Sequence, residues 1–370
     1  MKNHLNYLFV LPTDSIGGAE RVAMNLVLHL LHQDNIFVKV VFMCSTSSGS
    51  WDEFTKYENC QIINLRQSRE IYGVINLSKY FINDNSAYEY IYTTHTHINS
   101  FIALLRKFSI IKSRYHVARE STVMFDRFFG WKRILARLLY CFYGNIDLVI
   151  CQTEYMKRRF LDEVSTVKSS RVLHIANPIN LEVINSSIKS DFPLCFFSKT
   201  DFNIIQVGRL IDIKNHELTL RSLALLNSTL RYKYFIIGSG PKKNYLANLA
   251  SELGVSDSVV FVGSVTNPYI YMANSDLGVL SSIKEGFPNV LIEMMASGIK
   301  NIITTQCAGD LNELPKVTVF KSLFPQDLAI ELEKAILHKF DFSHVYKVYA
   351  HKRDVHTFWS NVVEYFDCTK

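Results

Sequence analysis

The sequence predicts an α/β protein of two Rossmann-like domains flanking a cleft, and three observations carry that expectation. First, 370 residues and 42.6 kDa exceed one comfortable core, so two domains are expected. Second, short β-branched runs alternate with longer amphipathic stretches, the pattern of parallel sheets wrapped by helices. Third, the alternation stops between Asn177-Pro178 and about Thr200, where Pro193, four Ser and little periodicity suggest a linker, and then restarts. With 48% hydrophobic and 20% charged residues, 15 Gly and 8 Pro, the chain is neither disordered nor fibrous.

The first strand is expected over Leu5–Leu11. Met1-Lys2-Asn3-His4 and this run superficially resemble a signal peptide. The run is short, however, contains Asn6, and enters Pro12-Thr13-Asp14-Ser15-Ile16-Gly17-Gly18 without an A-x-A-like site, so a buried strand is the better reading. Helix Ala19–His32 places Val22, Leu26 and Leu30 on one side. Strands Phe37–Met43, Tyr90–Thr93, Tyr115–Ala118, Leu148–Cys151 and Val172–Ile175 complete the first half. After the linker come strand Asn203–Val207, helix Asn215–Leu226, strand Tyr234–Ile237, helix Lys242–Leu253 and strand Val259–Val262. Strand Leu277–Leu280, helix Pro288–Ser297 and strand Asn301–Thr304 follow. Asp341–Asp367 carries Phe358, Trp359, Val362, Val363, Tyr365 and Phe366 and is expected to form terminal helices that cover a surface.

No apolar run approaches the roughly 20 residues of a spanning helix, so a soluble, cytoplasmic protein is expected. The seven cysteines are scattered without a C-x-x-C pair, which argues against a disulfide framework or zinc ribbon. The net charge of +6 is unevenly spread: residues 101–160 hold twelve Lys/Arg against four acids, a local +8 that leaves −2 elsewhere. Within that segment, Phe128, Trp131, Leu135, Leu138 and Phe142 share one helical stripe with Arg133 and Arg137 opposite. For Leu135 and Leu138 a core-facing stripe is favoured. For the charge excess an anionic membrane or lipid-diphosphate partner is favoured, and no recognition motif supports nucleic acid.

The most informative segment is Lys284-Glu285-Gly286-Phe287-Pro288-Asn289-Val290-Leu291-Ile292-Glu293-Met294-Met295-Ala296-Ser297-Gly298. Pro288 can open a helix whose free N–H groups cradle an anion, and Glu285 and Glu293 suit sugar hydroxyls. A solvated Glu285 and a helix-surface Glu293 are the bland alternative, about evenly matched on spacing alone. Arg209 and Lys214 follow a strand end, where open α/β sheets bind ligands, and two cations there can hold a diphosphate. Gly17 and Gly18 let backbone approach a phosphate or simply make a tight turn. His95-Thr96-His97 follows a strand; in extended chain its two rings point one way, and cleft contact is placed slightly ahead of a buried role.

The E-x7-E within E-G-F-P-N-V-L-I-E-M-M-A-S-G resembles the signature of glycosyltransferase family 4, retaining enzymes of GT-B fold. Gly17-Gly18-Ala19-Glu20-Arg21 resembles the family's glycine loop, and Gly208-Arg209-Leu210 with Lys214-Asn215 its basic motif. Gly238-Ser239-Gly240-Pro241, Phe261-Val262-Gly263 and Asn177-Pro178 resemble its next turn, the strand before the base site and the closing N-P. The resemblance implies an acceptor domain over residues 1–180, a nucleotide-sugar donor domain over 181–350, and a C-terminal helix over 351–370 that packs toward the N-terminal domain. It implies Glu293 on the ribose and Glu285 on the donor sugar, with Phe287, Pro288, Asn289, Val290 and the glycines Gly17, Gly18, Gly208, Gly238 and Gly263 lining the donor. Two departures stand out: Ile299-Lys300-Asn301 replaces a usual Pro, and Arg119-Glu120-Ser121 occupies the place of a frequent catalytic His. Glu120 is the candidate substitute as acceptor contact or base, and His116 is expected to be structural.

No D-x-D occurs, so a reaction without metal or other cofactor is expected. The resemblance points to transfer from a nucleotide diphosphate sugar, UDP-linked by expectation, to an undecaprenyl-diphosphate-linked or other glycan acceptor. It is closest to enzymes of bacterial O-antigen, lipopolysaccharide, capsule or exopolysaccharide assembly, peripheral at the inner face of the cytoplasmic membrane. The alternatives are a nucleotide-sugar epimerase of the same architecture and a non-catalytic sugar-nucleotide-binding subunit.

Overall fold

The computed structural model describes residues 4–15, 17–44, 49–65, 70–122, 124–189, 197 and 200–369. The chain divides into two compact units, Met1–Pro178 with Val355–Lys370, and Ile179–Asp354. In the first, β1 (Leu5–Thr13), β2 (Ile36–Cys44), β3 (Cys60–Asn64), β4 (Ala87–Thr94), β5 (Lys112–Glu120), β6 (Leu148–Cys151) and β7 (Val172–His174) form a parallel sheet in the order β3-β2-β1-β4-β5-β6-β7. In the second, β8 (Phe202–Val207), β9 (Tyr232–Ile237), β10 (Val259–Gly263), β11 (Leu277–Leu280), β12 (Asn301–Thr305) and β13 (Thr318–Phe320) form a parallel sheet in the order β10-β9-β8-β11-β12-β13. Both sheets are Rossmann-like, as the alternation predicts.

The central strands are nearly continuous runs of buried apolar residues, because helices cover both faces of a parallel sheet. The helix Val355–Cys368 belongs to the first unit. Its Trp359 ring lies 5.8 Å from Tyr7 and 5.4 Å from Tyr90, and Phe366 stacks on Tyr115 at 4.0 Å.

Four expectations need correction. The 177–200 stretch is not wholly linker: Asn180 caps a helix over Leu181–Ile188 by accepting the Val183 N–H at 3.0 Å, and Ile184 is buried. A capping Asn before an apolar period outweighs a high Ser count; residues 190–196, 198 and 199 of that stretch lie outside the described set. Strands β3 and β13 escaped the pattern because they are short edge strands, each only partly buried along most of its length. The helix expected around 125–143 is two pieces, Met124–Arg127 and Trp131–Tyr140, parted at Gly130 with φ +58°. Finally, the stripe of the second piece is not core: Leu135 is 51% and Leu138 57% exposed, while Ala136 and Tyr140 are the residues it buries.

Candidate functional site

In an open parallel sheet the loops after two neighbouring strands diverge where the strand order reverses, and ligands bind in the crevice between them. In the second unit that reversal lies between β8 and β11. The loop after β8 carries Gly208, Arg209 and Lys214; the loop after β11 carries Ser281, Ser282 and Glu285. The fold thus brings together residues that the sequence holds far apart. The Lys214 Nζ meets Glu285 Oε1 at 2.5 Å, and the Ser282 hydroxyl donates to the same oxygen at 2.7 Å. The exposed Arg209 guanidinium makes no hydrogen bond or ion pair among the described residues.

Two glycines press the neighbouring turn against this loop. A Cβ on Gly238, whose φ is +141°, would lie 2.0 Å from the Gly208 oxygen, and one on Gly240 would lie 2.4 Å from the Leu210 oxygen. Gly208 N donates to Ile237 O at 2.9 Å, and Leu210 N to Ser239 O at 2.9 Å. Gly238 is therefore required by packing of the chain itself. Gly208 differs, since a Cβ there would make ordinary contact with the Lys214 stem at 3.6 Å. Gly263 at φ +87° has open space around it, so its demand is conformational only.

Behind the loop lies a polar network that sequence reasoning missed. Gln206, buried mid-sheet, accepts from Thr219 at 2.8 Å and Tyr234 at 2.7 Å, and donates to Ser281 at 2.9 Å and the Lys214 carbonyl at 3.3 Å. It pins the backbone that aims Lys214. A lone Gln in the apolar run F-N-I-I-Q-V was the available signal.

The helix Asn289–Ser297 begins immediately after Pro288, so the half-buried Asn289 and Val290 stand in its first turn, at the positive end of the helix dipole. Glu293 is only 8% exposed, which removes the helix-surface alternative for it. Phe287 is buried and held by the Arg353 guanidinium, 5.2 Å from its ring and 5.1 Å from that of Tyr349. Arg353 carried no sequence motif.

In the first unit the order reverses between β1 and β4, so the Gly17-Gly18 loop and the His95-Thr96-His97 segment face each other. Glu20 connects them: its Oε2 accepts the Gly17 N–H at 3.1 Å, and its Oε1 lies 3.8 Å from His95 Nε2. Gly18 opens the helix Gly18–Leu31. The extended-chain placement of the histidines is corrected, because a helix starts at Thr96 and His95 turns into it with φ +70°. The two rings still lie 6.1 Å apart.

Glu120 also needs correction. It is 1% exposed, and its carboxylate accepts from Tyr140 at 3.0 Å, Asn99 at 3.1 Å, Thr96 at 3.2 Å and Tyr143. Burial raises its pKa and these donors oppose the rise. With both oxygens engaged, Glu120 organises the core rather than meeting an acceptor. Neighbouring Arg119 is equally buried: it donates to Asn177 Oδ1 at 2.5 Å and Gln152 Oε1 at 2.9 Å, which gives the Asn177-Pro178 motif a structural purpose. His116 is structural as expected, bonded to Thr93 at 2.9 Å and pushed well below its ordinary pKa by burial. Among the described residues no three His, Cys, Asp or Glu side chains converge as a metal ion would require.

Two such units define the GT-B fold, and solved structures agree. HepE from Anabaena, crystallised with UDP and glucose, superposes at TM-score 0.78 with 17% identity over 98% of this chain and 100% of its own. WaaG, described as a glycosyltransferase involved in lipopolysaccharide biosynthesis, gives 0.72 at 14% identity, over 96% of this chain and 98% of its own. Residues 194–338 match the family described as "Glycosyl transferases group 1". The resemblance drawn from the motifs therefore holds for the GT-B fold over the whole chain and for the glycosyltransferase family over residues 194–338. A Campylobacter jejuni N-acetylgalactosamine-N,N'-diacetylbacillosaminyl-diphospho-undecaprenol 4-alpha-N-acetylgalactosaminyltransferase is 33% identical over 173 residues, 46% of this chain and 45% of that protein. The match thus spans less than half the length of that relative. A putative glycosyltransferase, EpsF of Bacillus subtilis, is 26% identical over 80% of this chain and 78% of its own.

Proposed function

We propose that this protein is a retaining glycosyltransferase of family 4, moving a sugar from a UDP-linked donor to a lipid-linked glycan acceptor without a metal. The observation that carries this reading is the Lys214–Glu285 pair beside the exposed Arg209 at the β8/β11 switch point. A nucleoside diphosphate sugar offers what these groups recognise: phosphate oxygens for the two cations and hydroxyl donors for Glu285 and the buried Glu293. The names of relatives support the same chemistry, UDP with HepE and a diphospho-undecaprenol acceptor with the Campylobacter enzyme. Such an acceptor sets the reaction at the inner face of a bacterial membrane, in assembly of O-antigen, capsule or a similar surface polysaccharide.

In this mechanism the bond from the sugar's anomeric carbon to the β-phosphate oxygen breaks as the acceptor oxygen bonds to the same face. The acceptor proton passes to the leaving phosphate. Arg209 and Lys214 stabilise the charge that grows there, while Glu285 holds both the sugar and Lys214 in place. The test is UDP release with saturating donor. Arg209→Ala is expected to lower turnover by about 10²–10³, and near-normal turnover sinks the assignment. Donor interconversion without acceptor-dependent UDP release selects the epimerase instead. Donor binding by calorimetry with no turnover on a lipid-linked acceptor pool selects the binding subunit.

A further inference from the structure

Arg353 stands where the chain leaves the second unit, and its backbone is fixed there on both sides. Its N–H donates to Ala350 O at 2.9 Å, just past the helix Ser343–His351, and its carbonyl accepts the Ile179 N–H at 2.9 Å. The side chain packs within the same unit. Its Nη2 donates to the Tyr349 hydroxyl at 2.5 Å. The guanidinium carbon lies within cation–π range of two rings, 5.1 Å from Tyr349 and 5.2 Å from Phe287. Nη1 is buried without a hydrogen-bond partner. A cation with an orphaned buried donor is a poor choice for stability alone, because an apolar side chain packs there without that cost.

Phe287 is the pivot of the loop that carries Glu285. The first half of that loop is tied to its neighbours by hydrogen bonds: Ile283 N donates to Ile213 O at 2.8 Å, Glu285 N to Cys307 O at 2.7 Å, and the Thr305 hydroxyl to Ser282 O at 2.5 Å. Gly286 then offers no side chain. Phe287, 7% exposed, is the next one sunk into the core before the helix Asn289–Ser297 begins. A shift of its ring therefore moves Glu285 two residues before it and Asn289 two residues after it. We infer that Arg353 is a positioning residue for the sugar-nucleotide donor: by holding the Phe287 ring it keeps the turn from Glu285 to Asn289 in the form that takes the donor. This role rests on the donor reading of the loop given above. Arg353 lies outside the residues 194–338 that match the family, so the matched segment does not contain this brace. A turn released from the guanidinium spends part of its time in forms that do not bind, and the apparent dissociation constant rises by the inverse of the competent fraction. A desolvated cation–π contact is strong enough to make that factor about tenfold.

Arg353→Leu in the full chain tests this, with UDP as the probe. Its melting temperature is expected within about 2 °C of wild type, because the substitution removes the orphaned donor together with the charge. Calorimetric titration with UDP is expected to show a dissociation constant raised about tenfold at unchanged stoichiometry. A purely structural role lowers the stoichiometry and leaves the constant alone, and that result overturns the inference, as does an unaltered constant. Hydrogen exchange of the ligand-free protein gives a second readout. Amides between 283 and 290 are expected to exchange at least about fivefold faster, with those of β8, β9 and β11 unchanged. Acceleration spread over those strands, or absent from 283–290, overturns the inference. Because the effect passes through Phe287, adding Arg353→Leu to Phe287→Leu is expected to weaken UDP binding by less than about twofold further. A full tenfold loss in that background shows another route and overturns it. A wild-type protein that binds no UDP retires the donor reading and this role with it. Equal binding by wild type and Arg353→Leu retires this role alone.

Discussion

Lys214 and Glu285 come within 2.5 Å because two loops leave adjacent strands at the point where the sheet changes direction. Replacing Glu285 by Gln keeps the shape but removes the charge facing Lys214. Turnover is expected to fall about 10²-fold with saturating donor, measured as UDP release. Two buried histidines add a pH signature. His116 is held well below its ordinary pKa by burial and by Arg106; His216, beside Lys214, is lowered to about 4, with burial the larger cause. A depressed pKa stabilises the fold above the unfolded value of about 6.5, and that stability is lost as pH falls below it. Urea unfolding at pH 7 and pH 5 is expected to show this loss, and His116→Gln and His216→Gln are expected to flatten it. The motif residues were legible because each motif is a local turn with its own glycines. The Gln206 network was not, because its side-chain partners lie 13, 28 and 75 residues away and only the sheet assembles them.

Glycine turns show why some element-level expectations succeed only in part. The sequence marks Gly208 and Gly238 alike as loop glycines for a donor, yet the structure separates them. Gly238→Ala would drive a Cβ to 2.0 Å from a backbone oxygen at a positive φ, whereas Gly208→Ala meets the Lys214 stem at an ordinary 3.6 Å. The first is expected to cost more than about 3 kcal/mol and the second about 1 kcal/mol or less, both read from denaturant midpoints. Most interior strands were legible to within two residues, because buried parallel strands are unbroken apolar runs. The edge strands β3 and β13 lack that continuity. The helix Trp131–Tyr140 was legible as an amphipathic period, but periodicity cannot say whether an apolar stripe meets protein or something else. Only the burial of Ala136 and Tyr140, on the other side, settles which face the protein covers.

At the scale of the whole molecule, the chain leaves the first unit at Pro178 and returns at Val355, and the crossings are adjacent: Ile179 pairs with Asp354, and Ile179 N donates to Arg353 O at 2.9 Å. The returning helix Val355–Cys368 then buries Val355, Phe358, Trp359, Val362 and Phe366. Its rings lie against Tyr7, Tyr90 and Tyr115 of β1, β4 and β5. Each fully buried side chain of this size contributes roughly 1.5–3 kcal/mol. Five of them amount to a large share of the ~5–15 kcal/mol by which a domain is stable. Residues 1–178 expressed alone are therefore expected to unfold without cooperativity, with three tyrosines of the sheet uncovered. Because the two chain ends meet, a short Gly/Ser linker joining 178 directly to 355–370 should restore the missing face. Urea denaturation followed by far-ultraviolet circular dichroism is expected to show a cooperative transition for the fusion and none for the fragment. If the fragment unfolds as cooperatively and at the same midpoint as the fusion, the helix is an ornament on a self-sufficient sheet. If the fusion regains its transition and Trp359→Ala then lowers it by about 3–5 kcal/mol, the last helix of the chain completes the core of its first domain.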